Sequence, residues 1–107
     1  MVTNNIKQKV YKIVALIPYG KVSTYKKVAG LAQITNPRLV GYLLHLNKNP
    51  KKTPCHRVIR SDGTLASNYA FGGKTIQKNI LRGEGVRFRG EKVIPKYIWP
   101  PSTASLL

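Results

Sequence analysis

KVSTYKKVAGLAQITNPRLVGYLLHLN, residues 21–47, decides the architecture. Ser23 is a good N-cap, and Tyr25, Val28, Ala29 and Ala32 after it recur at helical spacing. A second helix opens with Thr35 or Asn36 as cap and Pro37 in its first turn, where the missing N–H costs nothing. Val40, Leu43, Leu44 and Leu46 make its apolar side, and Arg38 lies near its N-terminus. Two short helices joined by a tight connection, the second starting with an arginine, read as helix-turn-helix. Taken alone the pattern is weak, because most helix pairs in small proteins are only packing units.

Upstream, Ile6, Val10, Ile13, Val14 and Ile17 predict an amphipathic helix over 4–17, ended by Pro18 and Gly20. Downstream, NKNPKKTP (47–54) is extended or turning, RVIR (57–60) is β-prone, and SDG (61–63) is a turn. Residues 66–73, ASNYAFGG, read as a loop with glycine hinges. A further helix is predicted over 74–84 with Ile76, Ile80 and Leu81 apolar, and VRFRGEKVIPKYIWPP predicts a small hairpin before a Pro-limited turn. The expected fold is α+β and mainly helical: one helix-turn-helix, winged-helix-like DNA-binding domain over 1–107 with a small β element. The end of the chain, 100–107, is expected to fray.

The charge balance is extreme. Nineteen Lys plus Arg stand against three Asp plus Glu, for a formal net charge of +16. Self-repulsion of that size destabilises a compact state, so a polyanionic partner, nucleic acid above all, is its natural explanation. No single helix combines the basic and large apolar residues that a membrane surface requires, so no membrane partner is expected. One cysteine forms no internal disulfide, and no signal peptide or membrane span is read. The expected compartment is therefore the cytosol, at the nucleoid, or the nucleus. One Cys, two His and three acids show no metal-ligand spacing, so neither metal nor cofactor is expected.

The single thiol, Cys55, sits in PCHRVI (54–59) beside His56 and Arg57, with Lys51 and Lys52 upstream. A thiol becomes a strong nucleophile only as thiolate; an adjacent imidazole can take its proton and basic neighbours stabilise the anion. The same adjacency also fits a buried structural cysteine. Of the three acids, Asp62 falls in a turn and Glu91 in a hairpin. Glu84 falls in LRGEG at the end of an apolar helix, where a carboxylate either faces inward to orient a histidine or is simply solvated.

IPYGKVSTY, NPRLVG, the eight residues up to Cys55, PCHRV, YAFGG and LRGEGV occur in this order. The chain thereby resembles, over about residues 8–88, the DNA-binding half of the O(6)-alkylguanine-DNA alkyltransferases, also called methylated-DNA–protein-cysteine methyltransferases. The resemblance implies a DNA repair protein that flips O(6)-alkylguanine out of double-stranded DNA and transfers the alkyl group irreversibly to its own cysteine, once, as a monomer. Cys55 would be the acceptor. His56, through a water, would take the thiol proton, and Glu84 would polarise His56. Asn47 would brace the loop that carries Cys55. Tyr25 would contact the flipped guanine or turn its phosphate, and its hydroxyl is the best placed to donate a proton to the leaving guanine. Arg38 would fill the gap left in the base stack, Gly41 would permit close approach to DNA, and Arg57 would join them at the DNA. Pro50, Pro54, Asn68, Tyr69 and Ala70 would line the base pocket. Flipping costs a few kcal/mol, which an inserted side chain partly offsets.

Four departures from the family stand out. Its N-terminal domain, with the zinc ligands some members carry there, has no counterpart. The linker before Arg38 is one residue short. The segment between Asp62 and Gly73 is about two residues long. The short layout and the YIWP tail also resemble the alkyltransferase-like proteins, non-enzymatic lesion sensors that recruit nucleotide excision repair and carry tryptophan in place of the reactive cysteine. Cys55 favours chemistry. A plain helix-turn-helix regulator leaves Cys55, His56 and Glu84 unexplained, and a cysteine hydrolase normally has its histidine distant in sequence.

A partner held by this charge implies a salt-dependent affinity. The logarithm of the duplex binding constant is expected to fall linearly and steeply with the logarithm of salt concentration. A binding constant indifferent to salt, in a titration from low to physiological ionic strength, would argue against a DNA role.

Overall fold

The computed structural model describes residues 4–66 and 69–101. Helix α1 spans Asn4–Ala15, α2 Tyr25–Leu31, α3 Pro37–His45 and α4 Gly73–Gly83. Strand β1 (Ser23–Thr24) pairs in parallel with β2 (Val58–Ile59), and β3 (Phe88–Arg89) pairs antiparallel with β4 (Lys92–Val93). The fold is α+β and mainly helical.

The N-terminal helices form as their periodicity dictates. Val10, Val14 and Ile17 are fully buried, and α1 ends in a tightened turn before Pro18. Asn36, not Thr35, caps α3: its side chain accepts from the Arg38 N–H at 3.0 Å, with Pro37 at the first helical position. The cap of α2 is one residue later than expected. Thr24 accepts from the Lys27 N–H at 3.0 Å, while Ser23 lies in β1 with its hydroxyl buried and without a hydrogen-bond partner among the described residues. The β1–β2 pairing overrides the local cap signal.

Two further expectations are corrected. Leu46 is not part of the apolar side of α3; it is the C-cap and is 42 % exposed. In α4 the inward positions are Gln77 and Leu81, and Ile76 is 44 % exposed. Ile76 instead packs over Gly72, where an added Cβ would come within 2.8 Å of its Cγ1; Gly72 also holds φ +126°, so glycine is required there twice over.

Val58 and Ile59 explain how the halves join. Successive strand residues point to opposite faces. Val58 packs into the cluster built by α1, α2 and α3, whereas Ile59 packs with Val22, Leu65, Leu81, Val86 and Val93. The small parallel sheet is thus the septum between the helical half and the hairpin half. Cys55 opens a single 3-10 turn, Cys55–Arg57, immediately before it. The C-terminal segment also returns to this septum: Val22 N–H donates to Tyr97 O and Trp99 N–H to Val22 O. Residues 102–107, which include most of the tail expected to fray, lie outside the described residues.

The cap assignment has a direct test in chemical denaturation. Thr24→Ala is expected to cost about 1 kcal/mol. Ser23→Ala, which removes an unpaired buried hydroxyl, should be close to neutral. A larger loss from Ser23→Ala than from Thr24→Ala would return the cap to Ser23.

Candidate active site

The site is organised by Glu84, the C-cap residue of α4. Its side chain is only 8 % exposed, so its charge needs partners. Oε2 lies 2.7 Å from His56 Nε2. Arg57 grips the same carboxylate side-on, Nε donating to Oε1 at 2.9 Å and Nη2 to Oε2 at 3.0 Å. The Gly20 N–H donates to Oε1 at 3.4 Å. Gly20 can come this close because it has φ +83° and no Cβ; one built there would lie 3.1 Å from the Glu84 carbonyl oxygen.

Arg57, expected at the DNA from the sequence, turns inward onto this carboxylate. Its third contact, Nη1 to Ile17 O at 3.0 Å, turns it further inward, and the Tyr19 ring covers it with the guanidinium carbon 5.6 Å from the centroid. A buried carboxylate twenty-seven residues away in sequence captures it, because a side-on arginine–carboxylate pair is stronger than a solvated charge.

These contacts set the charge states. Burial pushes the Glu84 carboxyl up, but hydrogen bonds from Arg57 and His56 outweigh it and hold its pKa below the ordinary carboxylate value. Burial lowers the His56 pKa, and although Glu84 opposes this, the net shift is downward. At neutral pH the pair is an ionised Glu84 and a neutral His56. A neutral imidazole beside a carboxylate carries its proton on the nearer nitrogen, here Nε2, which leaves Nδ1 as an acceptor. Gln77, missed in the sequence, fixes the backbone around this ring: its Nε2 donates to His56 O at 2.9 Å and to Val58 O at 3.3 Å. Its only sequence signal is a position four residues before buried Leu81.

Cys55 is buried, and burial pushes its thiol pKa up, opposed by the hydrogen bond from Asn47. Asn47, also buried, has every polar position used. Its Nδ2 donates to Thr53 O at 2.8 Å and to Cys55 Sγ at 3.4 Å, and its Oδ1 accepts from the Asn49 N–H at 3.1 Å. It ties both ends of the 47–55 segment together and touches the sulfur. Burial, then the charge of Cys55, raises the pKa of Tyr25; the same two causes push Tyr69 up to about 12.

Two cavities lead to the thiol. An open one of about 1000 Å³ is lined by Tyr25, Pro37, Arg38, Gly41, Tyr42, His45, Arg60, Ser61 and Ala66. Behind it lies a space of about 20 Å³ bounded by Tyr25, Gly41, Leu44, His45, Cys55, Tyr69, Ala70 and Gln77. Tyr25, Gly41 and His45 belong to both, so the route to Cys55 runs from the exposed face of α3. The inner space holds little more than a water, so a base enters only if its walls move. Tyr69 and Ala70 are in that wall; Pro50 and Pro54 are not among its lining residues, Pro54 being buried in the turn before Cys55. Asn68 lies outside the described residues. Tyr42, His45 and Arg60, which line the outer cavity, were not singled out in the sequence. Among the described residues no cluster of His, Cys, Asp and Glu could hold a metal ion.

The family described as 6-O-methylguanine DNA methyltransferase, DNA binding domain, matches residues 5–86. A methylated-DNA–protein-cysteine methyltransferase of Rattus norvegicus is 39% identical over 83 residues, 75% of this chain and 38% of that protein. Alkyltransferase-like protein 1 of Schizosaccharomyces pombe is 36% identical over 100 residues, 87% of this chain and 93% of that protein. The crystal structure of S. pombe Atl1 with damaged DNA containing O6-carboxymethylguanine superposes with TM-score 0.79 at 34% identity, covering 94% of this chain and all of that one. Mycobacterium tuberculosis OGT in complex with DNA gives TM-score 0.70 at 32% identity, over 76% of this chain and 49% of that one. The chain thus spans well under half of the rat methyltransferase and nearly all of the yeast alkyltransferase-like protein.

Acid should unfold this site. Both shifts are downward, so the folded state binds fewer protons than the unfolded one below pH about 6.5 for His56 and about 4.3 for Glu84. Their contributions are present at neutral pH and are lost as pH falls through the depressed folded values. Urea titrations between neutral pH and pH about 2 should show stability falling first through the His56 range and then through the Glu84 range. Glu84→Ala should cost about 3 kcal/mol at neutral pH, because it leaves Arg57 inward and unpaired. It should abolish the fall below pH about 4.3 and keep the fall that begins near pH about 6.5, since without Glu84 nothing opposes the burial that lowers His56. A flat profile in the wild-type protein would contradict an ionised Glu84 beside a neutral His56.

Proposed function

The chain belongs to the 6-O-methylguanine DNA methyltransferase DNA-binding-domain family, and from that premise we propose that it repairs O(6)-alkylguanine in duplex DNA by moving the alkyl group to Cys55. The observation that carries this reading is a cysteine thiol in place at the end of a cavity on the helix-turn-helix face, next to a histidine held by an ionised carboxylate.

The chemistry follows from the charge states. At neutral pH Cys55 rests as a thiol, since burial disfavours the thiolate. Its proton passes to His56 Nδ1, directly or through a water, and Glu84 stabilises the imidazolium so formed. The thiolate attacks the alkyl carbon, an S–C bond forms, and the C–O6 bond breaks. Guanine leaves with the electron pair and takes a proton from the Tyr25 hydroxyl, which a raised pKa keeps protonated. His56 returns the first proton to the tyrosinate. The product is a thioether, and the chain has no second thiol to reverse it.

Arg38 is exposed at the start of α3 and fills the space left by the extrahelical nucleotide. At Gly41 an added Cβ would meet only the Tyr25 ring, at 3.7 Å, an ordinary contact. The protein itself therefore does not demand glycine there, and the missing side chain leaves the face of α3 open to a close approach by DNA.

A second reading, a lesion sensor without chemistry, draws on the near-complete length match to alkyltransferase-like protein 1. One measurement separates the two. After incubation with an O(6)-methylguanine duplex, intact mass spectrometry should show the gain of one methyl group per protein, located on the Cys55 peptide, and Cys55→Ala should bind without gaining mass. Selective binding with no mass change in the wild-type protein would establish the sensor.

A further inference from the structure

The outer cavity accounts for little of the charge, since of nineteen Lys and Arg only Arg38 and Arg60 line it. A second groove, of about 720 Å³, runs between α1 and the segment 46–53. Lys7, Gln8, Tyr11, Lys12 and Ala15 form its α1 wall at the spacing of one helix face. Lys48 and Lys52 come from the opposite wall, and no acidic residue lines it. Of the three acids, Glu84 is held by His56 and Arg57, Glu91 lies near Lys74 and Lys78, and Asp62 caps its own turn. The two cavities share no residue, yet they meet at the end of α3: His45 lines the first and Leu46 the second.

We propose that this groove is an auxiliary site for the phosphate backbone of DNA, reached by a strand that continues round the C-terminus of α3. Four lysines converge on one concavity without a counter-charge, and their repulsion is relieved by a ligand carrying negative charge at regular intervals. Lysine suits this task, as a mobile point charge that follows a backbone without reading sequence. The wall that would hold the strand is also the segment tied by Asn47 to Cys55 Sγ, so a seated backbone steadies the loop in front of the thiol. The proposal rests on the reading of the chain as a DNA-acting protein.

The test uses the whole chain and a long unmodified duplex, so that binding is measured apart from alkyl transfer. Lys7→Gln, Lys12→Gln, Lys48→Gln and Lys52→Gln are combined in one variant. A control variant of equal charge carries Lys21→Gln, Lys78→Gln, Lys92→Gln and Lys96→Gln, at positions that line neither cavity. Each phosphate deprived of its lysine lowers the slope of log K against log salt by about 0.9, so the groove variant, short of four lysines, should lose about 3.6 and the control much less. In the wild-type protein, bound duplex should protect the four groove lysines from acetylation. Equal slopes in the two variants, or unprotected groove lysines, would overturn the proposal. So would a groove variant that keeps its duplex slope but loses binding to polyglutamate, which would mark the groove as a seat for an acidic protein. Modification of Cys55 by free O(6)-benzylguanine, measured in parallel on the wild-type protein, reports on the reaction independently of DNA binding. Its absence in the wild-type protein would sink the repair reading and leave the groove result standing.

Discussion

The Glu84 carboxylate is the contact on which the rest of the site depends. It receives His56, two nitrogens of Arg57 and the Gly20 amide, from two separate parts of the chain. A carboxylate so enclosed is tolerable only because every neighbour donates to it. In return it locks the turn after α1, the 3-10 turn of Cys55–Arg57 and the end of α4 into one unit. Arg57 extends the unit to Ile17 O, and Gln77 secures the His56 and Val58 carbonyls from the same helix. The group that polarises the imidazole is thus also a structural rivet, and any change at Glu84 is felt in both capacities.

A second constraint is the burial of the thiol. Cys55 packs with the helical core, and burial holds it as a thiol at rest. In the proposed reaction its reactivity therefore has to be generated when a substrate arrives. The inner space is far smaller than a base, and its outer wall, Tyr69 and Ala70, lies just before Gly72 and Gly73, both with positive φ. Closing the thiol away protects it from oxidation and stray electrophiles, which access and thiolate character control.

The distribution of charge completes the picture. Asp62 lies in its turn, Glu91 in the hairpin and Glu84 within the site, so the faces around α1, α3 and the 46–53 segment are left purely basic. A protein built in this way is drawn to a polyanion at long range, before any specific contact forms.

Much of this was legible in the sequence. Local periodicity and turn chemistry specify α1, the Asn36–Pro37 start of α3 and the hairpin at Gly90, because these depend on neighbours within a few residues. PCHRV and its companions carried the family. Three local signals were overruled by distant partners. Ser23 gave up its cap because β1 pairs with β2; Ile76 turned outward and Gln77 inward because His56 and Val58 needed a donor; Arg57 turned in because Glu84 required a counter-charge. Leu46 left the core because α3 ends before it. The sequence alone determined the helices and the charge, since those follow from composition and short-range spacing, and it marked Cys55, His56 and Glu84 as candidates for chemistry. Only the tertiary structure decided which of them meet, because a buried charge selects its partners through space, and His56 and Glu84, 28 residues apart, come within 2.7 Å only when α4 packs against the turn that carries Cys55.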